Sequence, residues 1–440
     1  MILKTNRNIS LFMVVVILVW AVTVGWYRDT ARLAEGLLIL ASVLCAKDLY
    51  QQDKRPFVLW LLGAGVIFSI LMACVNHWAA GQYDPSLNHD RFSRFYIKLL
   101  LFIPIGGWLL IQKQAVYWMV AALALGIAIS ALFDSPTEDW SKMTIHSRMA
   151  LGFGNAQHAA MYGGSLLLVA LCMLPGTGRL NHLWGRWLAR LGLLVLVLMG
   201  VLIVILTKTR GVWLGLIAAL PIGAFFFIKS MPYFRRQHSW VSVAASVLLS
   251  VLITGSLLQL DMFSQRLKAE LEVHQQVLQG ELDNLPLGST GIRLKQWGLA
   301  VELMKKRPLL GYGGDTKTLL IAESTLPKRA KNNFGHFHNS YLDLGVAYGV
   351  LAIGFFMAIM MYLMVRSLRY LGSPGAHSAF ACLGLTWAVF FIITNGFESY
   401  VMYRTGYSLL GIVGGIIFAL TSEHRSVVPP AVPSVKASKP

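Results

Sequence analysis

Two histidines, His336 and His338, stand in the segment HFHNSYLDLG, just before a long apolar run. An imidazole titrates near neutral pH, so His338 could act as a general base that takes the proton of a substrate hydroxyl. The spacing also fits part of a zinc site, but no convincing third ligand accompanies the pair, and we favour catalysis over a metal. We expect Asn339 or Ser340 to cap the following helix.

Two arginines accompany the histidines in the sequence. Arg210 ends an apolar run in TKTRG, and Arg293 is expected in the first turn of a helix that Ser289 and Thr290 can cap. Because a helix amino terminus already presents partial positive charge and unpaired N–H groups, a cation there is out of place unless an anion binds between them. Phosphate is the natural candidate, held by guanidinium and backbone together.

Two further basic residues and one asparagine accompany these arginines. Arg148 adds a guanidinium in HSRMALGFGNAQH, Asn155 follows in the same segment, and Lys208 precedes Arg210 by two residues. Taken singly, a basic residue beside an apolar run usually extends to the membrane interface. Three guanidinium groups on one face favour an anion pocket.

The elements that must position these residues are membrane helices. The chain has 440 residues, of which 56% are hydrophobic and 13% charged, whereas soluble chains have about a quarter charged. Runs able to cross about 30 Å of hydrocarbon recur roughly a dozen times. The sequence therefore predicts an all-α integral membrane protein with about 12 transmembrane helices. We place them near 9–27, 31–46, 56–75, 96–112, 114–133, 159–175, 188–206, 211–228, 240–260, 339–365, 376–394 and 403–421, with the second and fourth the weakest.

The distribution of Lys and Arg in short connections predicts the orientation, because basic residues near span ends are retained in the cytoplasm. Basic connections near 47–55, 113, 179–190, 229–236 and 366–369 place both termini in the cytoplasm. The residues discussed above then lie on the opposite face. A long loop, 261–337, belongs to that face and is expected to be helical. We predict one membrane-embedded domain, 1–421, followed by a disordered cytoplasmic tail, 422–440.

The net charge of +18 does not indicate nucleic acid, because the charge is dispersed over loops that flank the membrane. Such loops favour contact with anionic membrane lipids. The sequence has no convincing nucleotide-binding loop, no serine nucleophile motif and no D-x-D motif for a metal-bound nucleotide sugar. Fixed guanidinium charge would have to replace that metal.

Three segments, TKTRGVWLGL, STGIRLKQWGLAVELMKKRPLLGYGG and HFHNSYLDLGVAYGV, resemble in order and spacing those of bacterial O-antigen ligases and their polymerase relatives. The resemblance covers most of the chain. It implies a GT-C type glycosyltransferase at the periplasmic face of a Gram-negative inner membrane. The implied donor is O-antigen on undecaprenyl pyrophosphate, and the implied acceptor is a sugar hydroxyl of the lipid A core.

With these substrates, Arg210 and Arg293 would bind the pyrophosphate and stabilise its developing charge, while His338 deprotonates the acceptor for a single inverting displacement. No metal or other cofactor is expected. Substrate contacts are predicted for Arg148, Asn155, Lys208, Arg210, Arg293 and His336.

Three alternatives stay open at this point. An O-antigen polymerase would use a second lipid-linked glycan as acceptor, and a protein O-oligosaccharyltransferase would use a Ser or Thr hydroxyl. A polyprenyl-glycan transporter could also have a dozen spans. Against a transporter, the sequence shows no inverted repeat and no paired charges at mid-bilayer, although Glu35 falls within the second predicted span.

Overall fold

A computed structural model describes residues 7–25, 27–52, 56–80, 95–112, 114–134, 148–174, 177, 182–230, 289–314, 316–333, 335–371 and 376–421. These residues form helices and no strand. The helices are α1 (Arg7–Thr23), α2 (Arg28–Leu44), α3 (Ala46–Gln52), α4 (Pro56–Ala80), α5 (Phe95–Leu99), α6 (Phe102–Ile111), α7 (Ala115–Ile129), α8 (Ala156–Met173), α9 (Leu183–Thr207), α10 (Arg210–Ser230), α11 (Ser289–Lys306), α12 (Thr316–Glu323), α13 (Lys328–Asn333), α14 (Ser340–Tyr370), α15 (Ala376–Asn395) and α16 (Arg404–Leu420). A π-helical turn, Ser130–Asp134, extends α7, and a 3₁₀ turn, Tyr400–Met402, precedes α16.

Within the described residues, five helices are long and apolar enough to cross a membrane, judged by length and composition. They are Ala115–Phe133, Ala156–Met173, Leu183–Thr207, Arg210–Phe227 and Ser340–Tyr370. Shorter apolar helices accompany them at Arg7–Thr23, Val58–Cys74, Tyr96–Ile111, Ala381–Asn395 and Arg404–Leu420. The all-helical, membrane-embedded class is therefore confirmed, whereas the number of twelve spans stays a prediction.

The second predicted span, 31–46, corresponds to α2, which belongs to neither set of apolar helices. This helix has 17 residues and carries Arg28, Asp29, Arg32 and Glu35 in its first half. The ninth predicted span, 240–260, lies outside the described residues, as do the tail 422–440 and the first part of the loop, 261–288.

Small residues let the apolar helices approach closely. A Cβ atom built on Gly200 of α9 would lie 2.8 Å from the Gly163 carbonyl oxygen of α8, so these backbones cross almost in contact. Between α8 and α15, the buried Trp387 indole N–H donates to Ser165 Oγ at 2.9 Å. In a bilayer the hydrophobic effect contributes little to helix association, because lipid tails are as apolar as the helices. Membrane helices are therefore held together by such packing and by buried hydrogen bonds.

The loop segment that precedes α14 folds back onto that helix. The apolar side chains of the loop, Ala300, Leu303, Tyr312, Ile321 and Phe337, form a separate buried cluster with Val346 of α14. Helix α14 is interrupted at Gly349, where φ is +76°, and the Val350 N–H donates to the Pro308 carbonyl at 2.8 Å. The break frees backbone groups of α14 to bind the loop, which fixes the loop against the start of the helix.

The predicted helix that carries Arg293 is confirmed as α11, but its start differs from the prediction. Ser289 and Thr290 lie inside the helix rather than ahead of it, so Arg293 falls in the second turn instead of the first. The partial positive charge of a helix terminus falls off within the first turn, so it gives less support for an anion beside Arg293 than the sequence predicts.

Candidate active site

The centre of the candidate site is Glu398, a fully buried carboxylate in the short connection between α15 and α16. Its Oε1 atom lies 3.0 Å from His336 Nε2 and accepts the Ser399 backbone N–H at 3.0 Å. Its Oε2 atom lies 3.0 Å from His338 Nδ1. A buried carboxylate is stable only when paired and hydrogen-bonded, and the two imidazoles supply those partners.

His338 is held in a backbone conformation that few residues adopt. Its φ is +52°, in the left-handed region, which costs free energy and occurs mainly where the surroundings impose it. Directly after it, Asn339 Oδ1 accepts the N–H groups of Tyr341 and Leu342 at 3.0 and 3.3 Å. The predicted Asn339 cap is thus confirmed, and it turns the chain so that the imidazole faces Glu398.

One face of α11 supports the histidine segment and presents Arg293 to it. Trp297 Nε1 donates to the Phe337 carbonyl at 2.9 Å, and the buried Gln296 amide donates to the His336 carbonyl at 3.4 Å. One helical turn earlier, Arg293 Nη2 lies 3.8 Å from Glu398 Oε2. Residues three and four apart share a helix face, so one helix positions both the cation and the histidines.

The ionisation of the pair follows from burial and contact. Burial lowers the pKa of His338, and the Glu398 carboxylate only partly opposes this. Burial by itself would raise the pKa of Glu398, but hydrogen bonds from His336 and His338, together with their charge, hold it well below its usual range. At neutral pH the site therefore holds a carboxylate beside a neutral His338.

The contact with Glu398 also selects the tautomer of His338. Because Nδ1 faces the carboxylate, the proton of the neutral imidazole resides on Nδ1 and donates to Glu398. The lone pair is then on Nε2, which makes Nε2 the basic atom. This is the carboxylate–imidazole arrangement that a general base requires.

Aromatic hydroxyl groups complete the wall around the histidines. Tyr403 Oη lies 3.0 Å from His336 Nδ1, and Tyr400 donates to the Gln157 carbonyl at 3.1 Å. Burial and the Glu398 charge raise the pKa of Tyr400 well above its usual value, while Arg293 and Arg148 oppose this. The charges of both arginines therefore reach the same tyrosine.

The turn between α9 and α10 places the other predicted basic residues. Arg148 Nε donates to the Thr207 carbonyl at 3.0 Å, and its Nη2 donates to Thr209 Oγ1 at 3.2 Å. Arg210 begins α10 and is half-buried. A Cβ atom on the next residue, Gly211, would lie 2.6 Å from Phe397 Cβ, so this turn abuts the residue that precedes Glu398.

Two predicted substrate contacts have local structural roles. Asn155 Oδ1 caps α8 by accepting the Gln157 N–H at 2.9 Å, and Gln157 Oε1 in turn accepts from Arg293 at 3.4 Å. Lys208 is only 5% exposed and adopts φ +47° as it ends α9. Asn155 thus shapes the start of α8, whose Gln157 contacts Arg293, and Lys208 shapes the turn before Arg210.

The sequence-based view that no third metal-ligand group accompanies the two histidines is wrong. His336, His338 and Glu398 offer three ligand atoms within 4.8 Å of one another. The distances between nitrogen and oxygen or nitrogen atoms of these three residues, 3.0–3.2 Å, are those of hydrogen bonds. A dication between these groups would also face the Arg293 guanidinium, 3.8 Å from the same carboxylate, which disfavours a metal electrostatically.

Sequence reasoning did not identify Glu398, Tyr403 or His158 as parts of the site. His158, on α8, contacts Thr405 Oγ1 through its Nδ1, and its ring packs edge-on against Tyr403 with centroids 5.5 Å apart. A usable signal did exist in NGFESY, where a carboxylate follows an apolar run on the predicted outer face. A lone acidic residue in a connection is ordinarily solvated, and its burial is not visible in the sequence.

The helices and this buried polar site define a multi-pass membrane protein. The family model described as O-antigen ligase matches residues 194–357, a range that contains Arg210, Arg293 and His338 and ends before Glu398. The match confirms the resemblance of these segments to O-antigen ligases. The chain is also similar to an uncharacterized protein of Haemophilus influenzae, with 22% identity over 430 residues that cover 94% of this chain and 95% of that protein.

Proposed function

We propose that this protein is an O-antigen ligase, a GT-C type glycosyltransferase that transfers O-antigen from undecaprenyl pyrophosphate to the lipid A-core oligosaccharide. The observation that carries the proposal is the contact between Glu398 and His338 Nδ1, beside Arg293, in a chain that the ligase family matches. The active site would face the periplasm of the inner membrane, with both termini in the cytoplasm.

The reaction is a single displacement with inversion at the anomeric carbon. The acceptor hydroxyl oxygen forms the new bond to that carbon while the bond to the pyrophosphate oxygen breaks. The hydroxyl proton moves to His338 Nε2, and undecaprenyl pyrophosphate leaves with the bonding electron pair. Glu398 stabilises the imidazolium that results, because its Oε2 atom already accepts a hydrogen bond from the His338 Nδ1–H group at 3.0 Å.

The arginines stabilise charge on the leaving group. Arg293 and Arg210 stand on the two segments that flank the Phe397–Glu398 connection, and Arg148 is anchored to the turn before Arg210. Fixed guanidinium groups bind phosphate oxygens in two-pronged fashion and need little reorganisation when charge develops. His336, Asn155 and Lys208 complete or support this pocket.

In this proposal the reaction needs no metal. Positive charge for the pyrophosphate comes from the arginines, and His338 Nδ1 is committed to Glu398. A divalent ion at His336, His338 and Glu398 would occupy that same nitrogen and remove the Nδ1–H that stabilises the base.

The decisive experiment uses purified full-length protein with lipid-linked O-antigen and defined core acceptors. We expect transfer without nucleotide, and unchanged transfer after treatment with a chelator. Loss of transfer with the chelator, restored by Zn²⁺, would overturn metal independence. Elongation of the lipid-linked glycan without core modification would identify a polymerase. Glycan movement across vesicles without any new glycosidic bond would identify a transporter.

A further inference from the structure

A second group of basic residues begins directly after Tyr403. Arg404 is the first residue of α16, and its Nη1 atom is buried without a hydrogen-bond partner in the described part of the chain. A buried guanidinium nitrogen without an acceptor is costly, and such groups usually indicate a missing partner. The missing partner is an oxygen acceptor, and an anionic one suits a guanidinium best.

A lysine bridge relates Arg404 to helix α2. Lys98 Nζ lies 3.0 Å from the Tyr407 hydroxyl of α16 and 3.9 Å from Glu35 Oε1 of α2. Arg404 precedes Tyr407 by three residues, and Arg32 precedes Glu35 by three residues. Each arginine therefore stands one helical turn from the bridge.

Arg28 joins this group because it stands one further turn along the same face of α2. The positive charges of Arg28 and Arg32 both act on the Arg404 guanidinium. The three guanidinium groups, which belong to two helices, therefore lie close enough for their charges to interact, at the end of α16 that adjoins the candidate active site.

The carboxylates nearby do not balance this charge. Asp29 pairs with Arg32 at 3.6 Å, but both side chains are well exposed, and such pairs contribute little. Among the described residues, no carboxylate lies within ion-pair distance of Arg28 or Arg404. Mutual repulsion of the three arginines would fall if an anion bound between them.

The surface beside the arginines is apolar. Leu33, Leu37 and Leu40 recur on the exposed face of α2, and Leu33 is 67% exposed. Between them, a Cβ atom on Gly36 would meet nothing within 4 Å, so the face is open at that point. An amphiphile fits this surface, because its anionic head can bind the arginines while its hydrocarbon chains contact the exposed leucines.

We propose that Arg28, Arg32 and Arg404 form a second anion-binding site, which takes the phosphate group of a membrane amphiphile whose hydrocarbon chains lie along the exposed leucines of α2. The site is separate from the Glu398 cluster and does not depend on the transfer reaction. Phosphate suits the arginines because a guanidinium donates two parallel hydrogen bonds to its oxygens.

Retention of lipid by the purified full-length protein, measured by native mass spectrometry, tests the site. The probes are phosphatidic acid and a diacylglycerol with the same chains. Phosphatidic acid should bind about tenfold more weakly to Arg404→Gln and to the double variant Arg28→Gln/Arg32→Gln. Arg369→Gln, an exposed arginine at the far end of α14, is the matched control and should bind as wild type.

Equal phosphatidic acid affinity in all proteins would overturn the proposal, as would diacylglycerol binding as tight as that of phosphatidic acid. The two exposed α2 arginines keep the test valid if Arg404→Gln fails to fold.

A second experiment identifies the source of the phosphate. It measures the KM of wild type and of the variants for a phosphorylated acceptor and for its dephosphorylated form. If the variants have a raised KM for the phosphorylated acceptor alone, the site binds the acceptor. If their KM is unchanged but they retain less phosphatidic acid, the site binds a bilayer lipid. Retention is measured without transfer, so its failure leaves the proposed transferase function untouched.

Discussion

Replacing Glu398 by Gln tests the proposed base more sharply than replacing the histidine itself. Gln has the same shape but no charge, and one of its two terminal atoms becomes an N–H donor. A donor opposite His338 Nδ1 would favour the other tautomer, in which Nε2 carries the proton and cannot accept one. The variant therefore changes the tautomer and the electrostatics while leaving the side-chain volume nearly unchanged.

The size of the effect follows from the 3.0 Å contact between Oε2 and Nδ1. At an effective dielectric constant of about 20, a full positive charge at that distance is stabilised by about 5 kcal/mol. If about half of the proton has transferred in the transition state, about 2.5 kcal/mol is lost, which corresponds to a fall in kcat of about 10²-fold. The unfavourable tautomer adds to this, so we expect a loss of about 10²–10³-fold.

The assay is glycan transfer at saturating donor and acceptor, measured as a function of pH. Wild-type transfer should fall at acid pH as His338 becomes protonated. This fall should occur below the ordinary pKa of an imidazole, because burial lowers the pKa of His338. In Glu398→Gln the acid limb should shift to still lower pH, because the carboxylate that raised the His338 pKa is gone. Glu302→Gln, on the exposed side of α11, serves as the control and should match wild type.

A Glu398→Gln variant with wild-type kcat and an unshifted acid limb would refute the role of this carboxylate. The same variant should alter acid stability. Since the folded-state pKa of Glu398 is depressed, its contribution to stability is present above the unfolded value of about 4.3. That contribution is lost as the pH falls through the folded pKa. The melting temperature of the wild type should therefore fall more over that pH window than the melting temperature of the variant.

Three other predictions concern the arginines, the base and the topology. Arg210→Lys and Arg293→Lys should each retain folding but lose at least about tenfold in transfer, because lysine lacks the two-pronged geometry; unchanged transfer in both would remove them from the pyrophosphate site. His338→Ala should bind the lipid-linked donor nearly as wild type yet transfer roughly 10²–10⁴-fold more slowly, and donor binding lost in proportion to kcat would contradict its role as base. In intact spheroplasts, a cysteine at Val301 should react with a membrane-impermeant thiol reagent, whereas one at Leu183, at the opposite end of α9 from the site, should not. The reverse labelling pattern would place the whole site in the cytoplasm.

Much of the helical framework could be predicted from the sequence, because helix formation in a membrane depends on local properties. Run length and hydrophobicity suffice to locate a helix, since every backbone polar group must be satisfied within the segment. Each predicted span within the described residues coincides with a helix, or with a pair of helices at 96–112. The second span, one of the two weakest, was insecure for a local reason too, since Arg32 and Glu35 interrupt its apolar character.

The boundaries of the loop helix were less predictable. Ser289 and Thr290 can cap a helix or begin one, and the choice depends on how α11 packs against the segment at 336–337. The helix begins at Ser289, so Arg293 lies in its second turn. Local capping preference is worth about 1 kcal/mol, which tertiary contacts readily outweigh.

Residue order alone indicates that this chain is helical, that its basic residues gather at the ends of apolar runs, and that His338 precedes a capped helix. Which groups share a site depends on how the helices pack. Glu398 lies 60 residues beyond His338 along the chain, and no local pattern distinguishes it from a solvated carboxylate. Its burial and its two imidazole partners exist only because α11 and α15 pack against α14, which encloses the connection between α15 and α16. Charge type and spacing are properties of the chain, whereas desolvation and pairing, which set the ionisation and tautomer of a base, are properties of the packed structure.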